Sequence, residues 1–209
     1  VSDDGPTHQG VFDVGYLRSV PGVVVCSPGD RVDLVRMLEL STQASGPFAV
    51  RYPKDVAYDL SDRLGDRPAM VPGTGALVAQ GRDVALISLG PVLRNSLDAR
   101  GILASRGIEA AVVDLRFARP LDAALLQSIA GSCRSVVVIE EATRSSGVYD
   151  EILELLVRSG MDIGHIARAG IPDEYPVQDK RSHLLSVYGM DAQGIAQTAE
   201  RLVTGVNVS

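Results

Sequence analysis

The sequence predicts an α/β protein, a parallel-sheet unit followed by a second unit built on a mixed sheet, and three observations predict it. Short runs such as Val23-Val24-Val25-Cys26, Val84-Ala85-Leu86-Ile87 and Val136-Val137-Val138-Ile139 are apolar on both faces, as strands buried within a parallel sheet must be. These runs alternate with longer stretches of helical period, the rhythm of βαβ units. One polar break, from Asp55 to Pro72, is rich in Asp, Arg, Pro and Gly and divides the series in two, as an interdomain linker does. The totals fit: 209 residues, 45% hydrophobic and 22% charged, without Trp, can bury a sizeable core of Val, Leu, Ile and Ala.

In chain order, Asp4-Gly5-Pro6-Thr7-His8-Gln9-Gly10 comes first, a polar run combining an acid, a Gly-Pro turn, a hydroxyl and a histidine. Gly10 to Arg18 reads as a short helix ended by Pro21-Gly22, and the first buried strand follows at Val23–Cys26. Asp30 is the expected N-cap of a helix whose inward face is predicted as Val32, Val35, Leu38 and Thr42, widened by Leu34 and Met37. Gly46-Pro47 stops that helix, and Phe48-Ala49-Val50-Arg51-Tyr52 forms the next strand, closed by Pro53. After the break, the runs from Gly75 to Gln80 and from Val84 to Gly90 flank Gly81-Arg82-Asp83, predicting a hairpin whose second strand is central. A helix from Pro91 to Arg106 ends at Gly107, a strand covers Ala110 to Leu115, and Pro120-Leu121-Asp122 starts a helix ended by Gly131. The buried strand Val136–Ile139 carries Glu140-Glu141 at its C-terminal end. A helix over 148–157, a strand over 163–169 and helices over 180–188 and 192–203 complete the series.

A net charge of −6 and a pI near 5.0 argue against nucleic acid and against an anionic membrane as partner. They leave room for a small anionic substrate held by a local arginine. No apolar run approaches the length of a membrane span and no signal-peptide pattern opens the chain, so a cytoplasmic protein is expected. Cys26 and Cys133 sit in or beside apolar runs and are read as buried thiols in a reducing compartment.

The residues with chemistry to offer are few. Asp4 and His8 lie four apart across Gly5-Pro6, so a helical facing is not implied. His8 suits an acid, a base or a donor to substrate oxygen; alternatively it caps the following helix. Arg51 stands near the C-terminal end of a buried strand, where open α/β sheets hold their ligands. It is read either as a phosphate or carboxylate binder or as an ion-pair partner of Asp30 or Asp55. Glu140 and Glu141 point to opposite faces of a strand, which favours capping of the helix start at Ser145-Ser146-Gly147, or a subunit contact, over a shared proton. Arg116 and Arg119, flanking Phe117, are read either as anion binders or, in preference, as covering the end of the sheet. Asp173 and Glu174 read as loop residues, and His165 and His183 as packing or surface. No Cys/His set has metal-ligand spacing, and no phosphate loop or serine elbow is present.

Several stretches together carry a resemblance. Asp4-Gly5-Pro6-Thr7-His8-Gln9-Gly10-Val11-Phe12-Asp13-Val14-Gly15-Tyr16-Leu17-Arg18 resembles the DG-x-THxG-x-FD-x-x-YLR segment of the 1-deoxy-D-xylulose-5-phosphate synthase family. Gly46-Pro47-Phe48-Ala49-Val50-Arg51-Tyr52-Pro53 is similar to its GP-x-AVRYP, and Asp114-Leu115-Arg116-Phe117-Ala118-Arg119-Pro120-Leu121-Asp122 to its D-x-RF-x-KPLD. Gly170-Ile171-Pro172-Asp173 and the run from Tyr188 to Ile195 resemble its closing GIPD and LGLDA-x-GI. The matches are colinear over essentially the whole chain.

The resemblance implies the end of a parallel-sheet pyrimidine-binding domain at residues 1–58, a linker at 59–70 and a transketolase C-terminal-type domain with a mixed sheet at 71–209. It implies a transferase that condenses pyruvate with D-glyceraldehyde 3-phosphate, releasing CO2, for isoprenoid and thiamine biosynthesis. Thiamine diphosphate held through Mg2+ would supply the carbanion chemistry, and a homodimer is implied. Carried over residue by residue, Asp4 positions the acceptor, His8 is catalytic and binds substrate oxygens, and Arg51 clamps the aldehyde's phosphate. The family's cofactor-activating Glu, its stacking aromatic and its GDG…N motif match nothing in these residues. The chain is therefore expected to be a C-terminal portion that neither binds the cofactor nor turns over by itself. Two segments depart from the family pattern, Ala142–Gly147, which is shortened, and Val177-Gln178-Asp179-Lys180-Arg181, which replaces an EHG-like stretch. The alternatives are the small subunit of a split transketolase or 2-oxo acid dehydrogenase, and a non-catalytic dimerisation or regulatory module.

Overall fold

Strands that are apolar on both faces need cover on both sides, and the fold provides it. The computed structural model describes residues 5–162 and 165–205. Among these the strands are Val24–Cys26 (β1), Phe48–Val50 (β2), Ala76–Ala79 (β3), Val84–Leu89 (β4), Ala110–Asp114 (β5), Phe117–Arg119 (β6), Ser135–Thr143 (β7) and Ile166–Ile171 (β8). The helices are Asp13–Arg18 (α1), Arg31–Thr42 (α2), Ser61–Leu64 (α3), Leu93–Ser105 (α4), Ala123–Ser132 (α5), Tyr149–Arg158 (α6), Arg181–Val187 (α7) and Ala192–Thr204 (α8). None of them is long and apolar enough to cross a membrane.

Five strands form one mixed sheet in the order β3-β5-β4-β7-β8, antiparallel only at β3. Its central strand β4 is buried at every position. One face packs on α4 and α8 through Leu93, Leu97, Leu103, Ile195 and Ala199. The other packs on α5 and α6 through Leu126, Ile129, Ile152 and Leu156, and also receives Val14 of α1 and Val25 of β1. A smaller sheet has the order β2-β1-β6, with β1 parallel to β2 and antiparallel to β6. Asp30, Asp122 and Asp191 cap α2, α5 and α8 by accepting the N–H groups of Asp33, Leu125 and Gly194. Cys26 and Cys133 are buried free thiols, and burial pushes the Cys26 thiol up to about 12.

The structure departs from the sequence reading in several places. β3 pairs with β5, not β4, so Gly81-Arg82-Asp83 joins strands that are not neighbours and no hairpin forms there. The N–H groups of Arg82 and Asp83 bond to the carbonyl of Glu109, which ties that connection to the start of β5. The buried face of α2 is Asp33 and Met37, leaving Val35 and Leu38 exposed; the helix is turned by the ion pairs of Asp33, which outweigh its aliphatic stripe. The stretch read as linker packs closely, with Leu60 and Leu64 in the core of the larger sheet and the side chain of Arg67 only 5% exposed. Arg116 and Arg119 do not cover a sheet end. They flank Phe117 and Ala118 in β6, which lends a strand from the second unit to the sheet of the first. The last strand, expected over 163–169, runs Ile166–Ile171; Ile163 and Gly164 lie outside the described residues.

A buried ionic network joins the two sheets. The Asp30 carboxylate accepts two parallel hydrogen bonds from Arg67, each 3.0 Å, and one from the N–H of Leu60. Asp33 accepts the Nε–H of Arg116 at 2.9 Å, and Arg67 Nη1 lies 3.0 Å from it. Asp114 is 3.8 Å from Arg116 Nε. Three carboxylates thus share two buried guanidiniums, with the exposed Arg36 3.8 Å from Asp33, and Asp114 is the least well paired. Burial, then the charge of Asp33, pushes its carboxyl up to about 8 against the pull of Arg116 and Arg67. The folded state therefore keeps a proton that the unfolded chain releases near pH ~4, and this contribution to stability is lost as pH rises from there to about 8. Asp114→Asn should gain on the wild type across that window, by at most about 1.4 kcal/mol per pH unit. Denaturant unfolding of both proteins at the two ends of the window checks this; an unchanged difference would contradict the protonation of Asp114.

Candidate functional site

The C-terminal ends of parallel strands are where an α/β sheet exposes free backbone groups and holds ligands. Here the C-terminal ends of β2, β7 and β8 converge on a cavity of about 230 Å³. His8, Arg51, Lys54, Glu141, Ile171 and Arg181 are among its lining residues. The structure thus brings together two of the three residues singled out from sequence, His8 and Arg51. Asp4 lies outside the described residues.

Arg51 is held from both ends. Its N–H bonds to the Cys26 carbonyl at 2.8 Å, extending the β1–β2 ladder by one residue, and its own carbonyl accepts the Ser27 hydroxyl at 3.0 Å. The guanidinium gives Nε to Asp13 at 2.9 Å and Nη2 to the carbonyls of Gly10 and Glu141 at 3.1 and 2.6 Å. Among the described residues the ion-pair partner is Asp13 at the start of α1, and neither Asp30 nor Asp55. Those two acids are taken by Arg67 and Arg181. The fork is therefore fixed in orientation with its side chain 15% exposed, and no described residue takes a hydrogen bond from Nη1.

His8 ends the 3-10 turn Pro6–His8, which follows Gly5 at φ 75°. Its N–H returns to the Gly5 carbonyl at 3.2 Å, and the Thr7 hydroxyl lies 3.0 Å from Nδ1. The imidazole is exposed and lines the cavity; it does not cap α1, which starts five residues later. The run is fastened to the larger sheet's unit by several bonds. The Val11 carbonyl accepts the N–H of Thr143 at 3.0 Å and the hydroxyl of Ser146 at 2.8 Å. Gln9 donates to the Pro176 carbonyl at 3.0 Å, and Phe12 meets Tyr175 edge-on at 5.0 Å. Gly15 lets α1 approach Ser146 so closely that a Cβ there would stand 2.9 Å from the Ser146 backbone.

The paired glutamates divide their work. Glu140 is fully buried and accepts the N–H groups of Val148 and Tyr149 at 2.7 and 3.3 Å, capping α6 from a neighbouring strand. Arg168 pairs with it at 3.0 Å. Burial pushes its carboxyl up, with Arg168 and the two N–H groups pulling the other way. Glu141 faces the cavity and pairs with Arg181. Arg181 and Lys54 were not foreseen as lining residues; Arg181 is forty positions from Glu141, and no local pattern signals such a pair. The other two histidines keep away from the cavity, His165 with Nδ1 3.4 Å from Ser135 Oγ and His183 3.5 Å from Asp179 on an exposed helix face. Among the described residues no group of three or more His, Cys, Asp or Glu side chains is placed to hold a metal ion.

Comparison with known proteins adds the following. Residues 73–195 match the family model for the transketolase C-terminal domain, and residues 1–58 that for the transketolase pyrimidine binding domain. Curated relatives include the 1-deoxy-D-xylulose-5-phosphate synthase of Syntrophotalea carbinolica, 39% identical over 97% of this chain and 32% of that protein. The synthase of the same name from Symbiobacterium thermophilum is 40% identical over 96% of this chain and 31% of its own length. The chain thus spans about a third of the length of these relatives. Among solved structures, a split-gene transketolase described as an inactive beta4 tetramer superposes with a TM-score of 0.77 at 24% identity, covering 95% of this chain and 63% of that one. A transketolase mutant from Pichia stipitis gives 0.69 at 16% identity, over 98% of this chain and 28% of that one. At these identities the structural likeness speaks for the fold.

Proposed function

The chain belongs to the transketolase family through its C-terminal domain, and from that premise we propose that it forms the acceptor side of an active site condensing pyruvate with D-glyceraldehyde 3-phosphate to 1-deoxy-D-xylulose 5-phosphate and CO2. The observation that carries this reading is the meeting of His8 and Arg51 on one cavity at the C-terminal strand ends. Support also comes from the relatives, which bear the name of that synthase.

In this reading Arg51 receives the aldehyde's phosphate. A planar guanidinium already oriented by Asp13 and two carbonyls loses little freedom on binding, and phosphate oxygens meet it in charge-assisted hydrogen bonds. The Thr7 hydroxyl lies 3.0 Å from Nδ1 of His8, and in the tautomer in which that nitrogen accepts from it the ring hydrogen sits on Nε2. It is then available to the aldehyde oxygen, which gains negative charge as the new carbon–carbon bond forms. Asp4 is assigned acceptor positioning on the resemblance alone. Thiamine diphosphate held through Mg2+ supplies the carbanion chemistry when bound. The described residues do not fit that group, since none of them converge as a metal site, and its binding is not assigned to them. The homodimer and the domain limits of 1–58 and 71–209 belong to the same proposal.

The test is CO2 release by the intact gene product from pyruvate plus D-glyceraldehyde 3-phosphate, with and without thiamine diphosphate and Mg2+. Release that requires the cofactor and both substrates is expected, and the 209 residues alone are expected to release none. Turnover independent of thiamine diphosphate would reject the reading.

A further inference from the structure

Two guanidiniums in the cavity wall are fastened to one residue. Arg181, the first residue of α7, donates Nε and Nη2 to the two carboxylate oxygens of Glu141 at 2.8 and 2.5 Å. Its Nη1 donates to Asp55 at 2.8 Å. The main-chain carbonyl of the same Glu141 accepts Arg51 Nη2 at 2.6 Å. Glu141 is thus held through its carboxylate by one arginine and through its backbone by the other. Asp55 lies four residues beyond Arg51, across Pro53, so Arg181 fixes both the end of β7 and the segment that leaves Arg51.

Resting on the functional reading above, we infer that Arg181 is a positioning residue that holds Arg51 in place for the substrate's phosphate, and so helps set the preference for a phosphorylated acceptor. Charge separates the two arginines. Arg181 has two carboxylate partners. Burial works against its charge, but Glu141 and Asp55 more than offset this and keep it firmly protonated. A cation so neutralised has little attraction left for a further anion. Among the described residues Arg51 has one carboxylate partner, Asp13, and otherwise only carbonyls, so it keeps more of its attraction. Remove Arg181 and two things follow. The end of β7 loses the clamp that sets the carbonyl holding Arg51, and the Glu141 carboxylate, 14% exposed, is left uncompensated in the same cavity. Both changes disfavour a phosphate there, and neither bears on an uncharged aldehyde.

The experiment measures kinetic constants of the intact gene product for D-glyceraldehyde 3-phosphate, unphosphorylated D-glyceraldehyde and pyruvate, in the wild type, Arg181→Met, Arg51→Ala and the double variant. Arg181→Met should raise KM for the phosphorylated aldehyde about tenfold, as expected when a binding group is displaced by a fraction of an ångström. KM for pyruvate and kcat/KM for the unphosphorylated aldehyde should stay within about twofold. The double variant should be little worse than Arg51→Ala, because the two changes act through one group. Should Arg181→Met fail to fold, Glu141→Gln keeps the carbonyl while weakening the clamp, and should shift the phosphorylated aldehyde in the same direction. Equal losses for both aldehydes, or full additivity in the double variant, would overturn the positioning role. A wild type with no preference for the phosphorylated aldehyde would refute the functional reading beneath it.

Discussion

Arg116→Ala is expected to lower folding stability by about 3–5 kcal/mol, the range for removing one partner from a buried ion pair. The guanidinium is fully buried, donates to Asp33 at 2.9 Å and to the Pro68 carbonyl at 3.3 Å, and lies 3.8 Å from Asp114. It stands at φ 58°, a left-handed conformation that side chains resist, so the surrounding ion pairs hold it against its local preference. Without it, Asp33 keeps only Arg67, which it shares with Asp30, and the more distant Arg36 at 3.8 Å. The damage would fall on the junction of the two sheets, because Asp33 belongs to α2 and Arg116 precedes β6. Arg116→Ala combined with Asp33→Ala should recover part of the loss by removing an uncompensated charge. Denaturant unfolding at neutral pH measures both; a single-variant loss below about 1 kcal/mol would place the network at the level of a surface pair.

How far the sequence could be read depended on the range of the forces involved. The buried strands of the larger sheet, the cap at Asp30 and the helix start at Pro120-Leu121-Asp122 were legible because apolar runs and helix-start chemistry act locally. The hairpin at Gly81-Arg82-Asp83 misled because a short polar connection resembles a hairpin turn whether or not its strands pair, and pairing is decided by β5, further along the chain. The face of α2 misled because Asp33, a charged residue, is its inward anchor. Hydrophobic periodicity cannot register a buried ion pair. In the candidate site, Arg51 stood out as a charge at a strand end and His8 as a histidine in a polar turn. Glu141 was read as a cap or a subunit contact and Arg181 was not singled out, since their pairing exists only once β7 and α7 are side by side.

The second large effect concerns Arg51. Arg51→Ala should raise KM for the phosphorylated aldehyde by about 10–100-fold, the loss of one or two charge-assisted hydrogen bonds together with the attraction between the charges. The effect has two sources. The phosphate loses its fork, and Asp13, 19% exposed and paired with Arg51, becomes an uncompensated negative charge beside the cavity. Arg51→Lys should recover only part of the loss, because a lysine ammonium keeps the charge without the planar fork. Pyruvate carries no phosphate and should not sense the change. The comparison that bears most directly on the acceptor-side assignment is therefore KM for D-glyceraldehyde 3-phosphate against KM for pyruvate in wild-type and Arg51→Ala forms of the intact gene product. A rise confined to the phosphorylated aldehyde, with pyruvate within about twofold, is the expected result. Equal rises for both substrates, or none for the aldehyde, would contradict it.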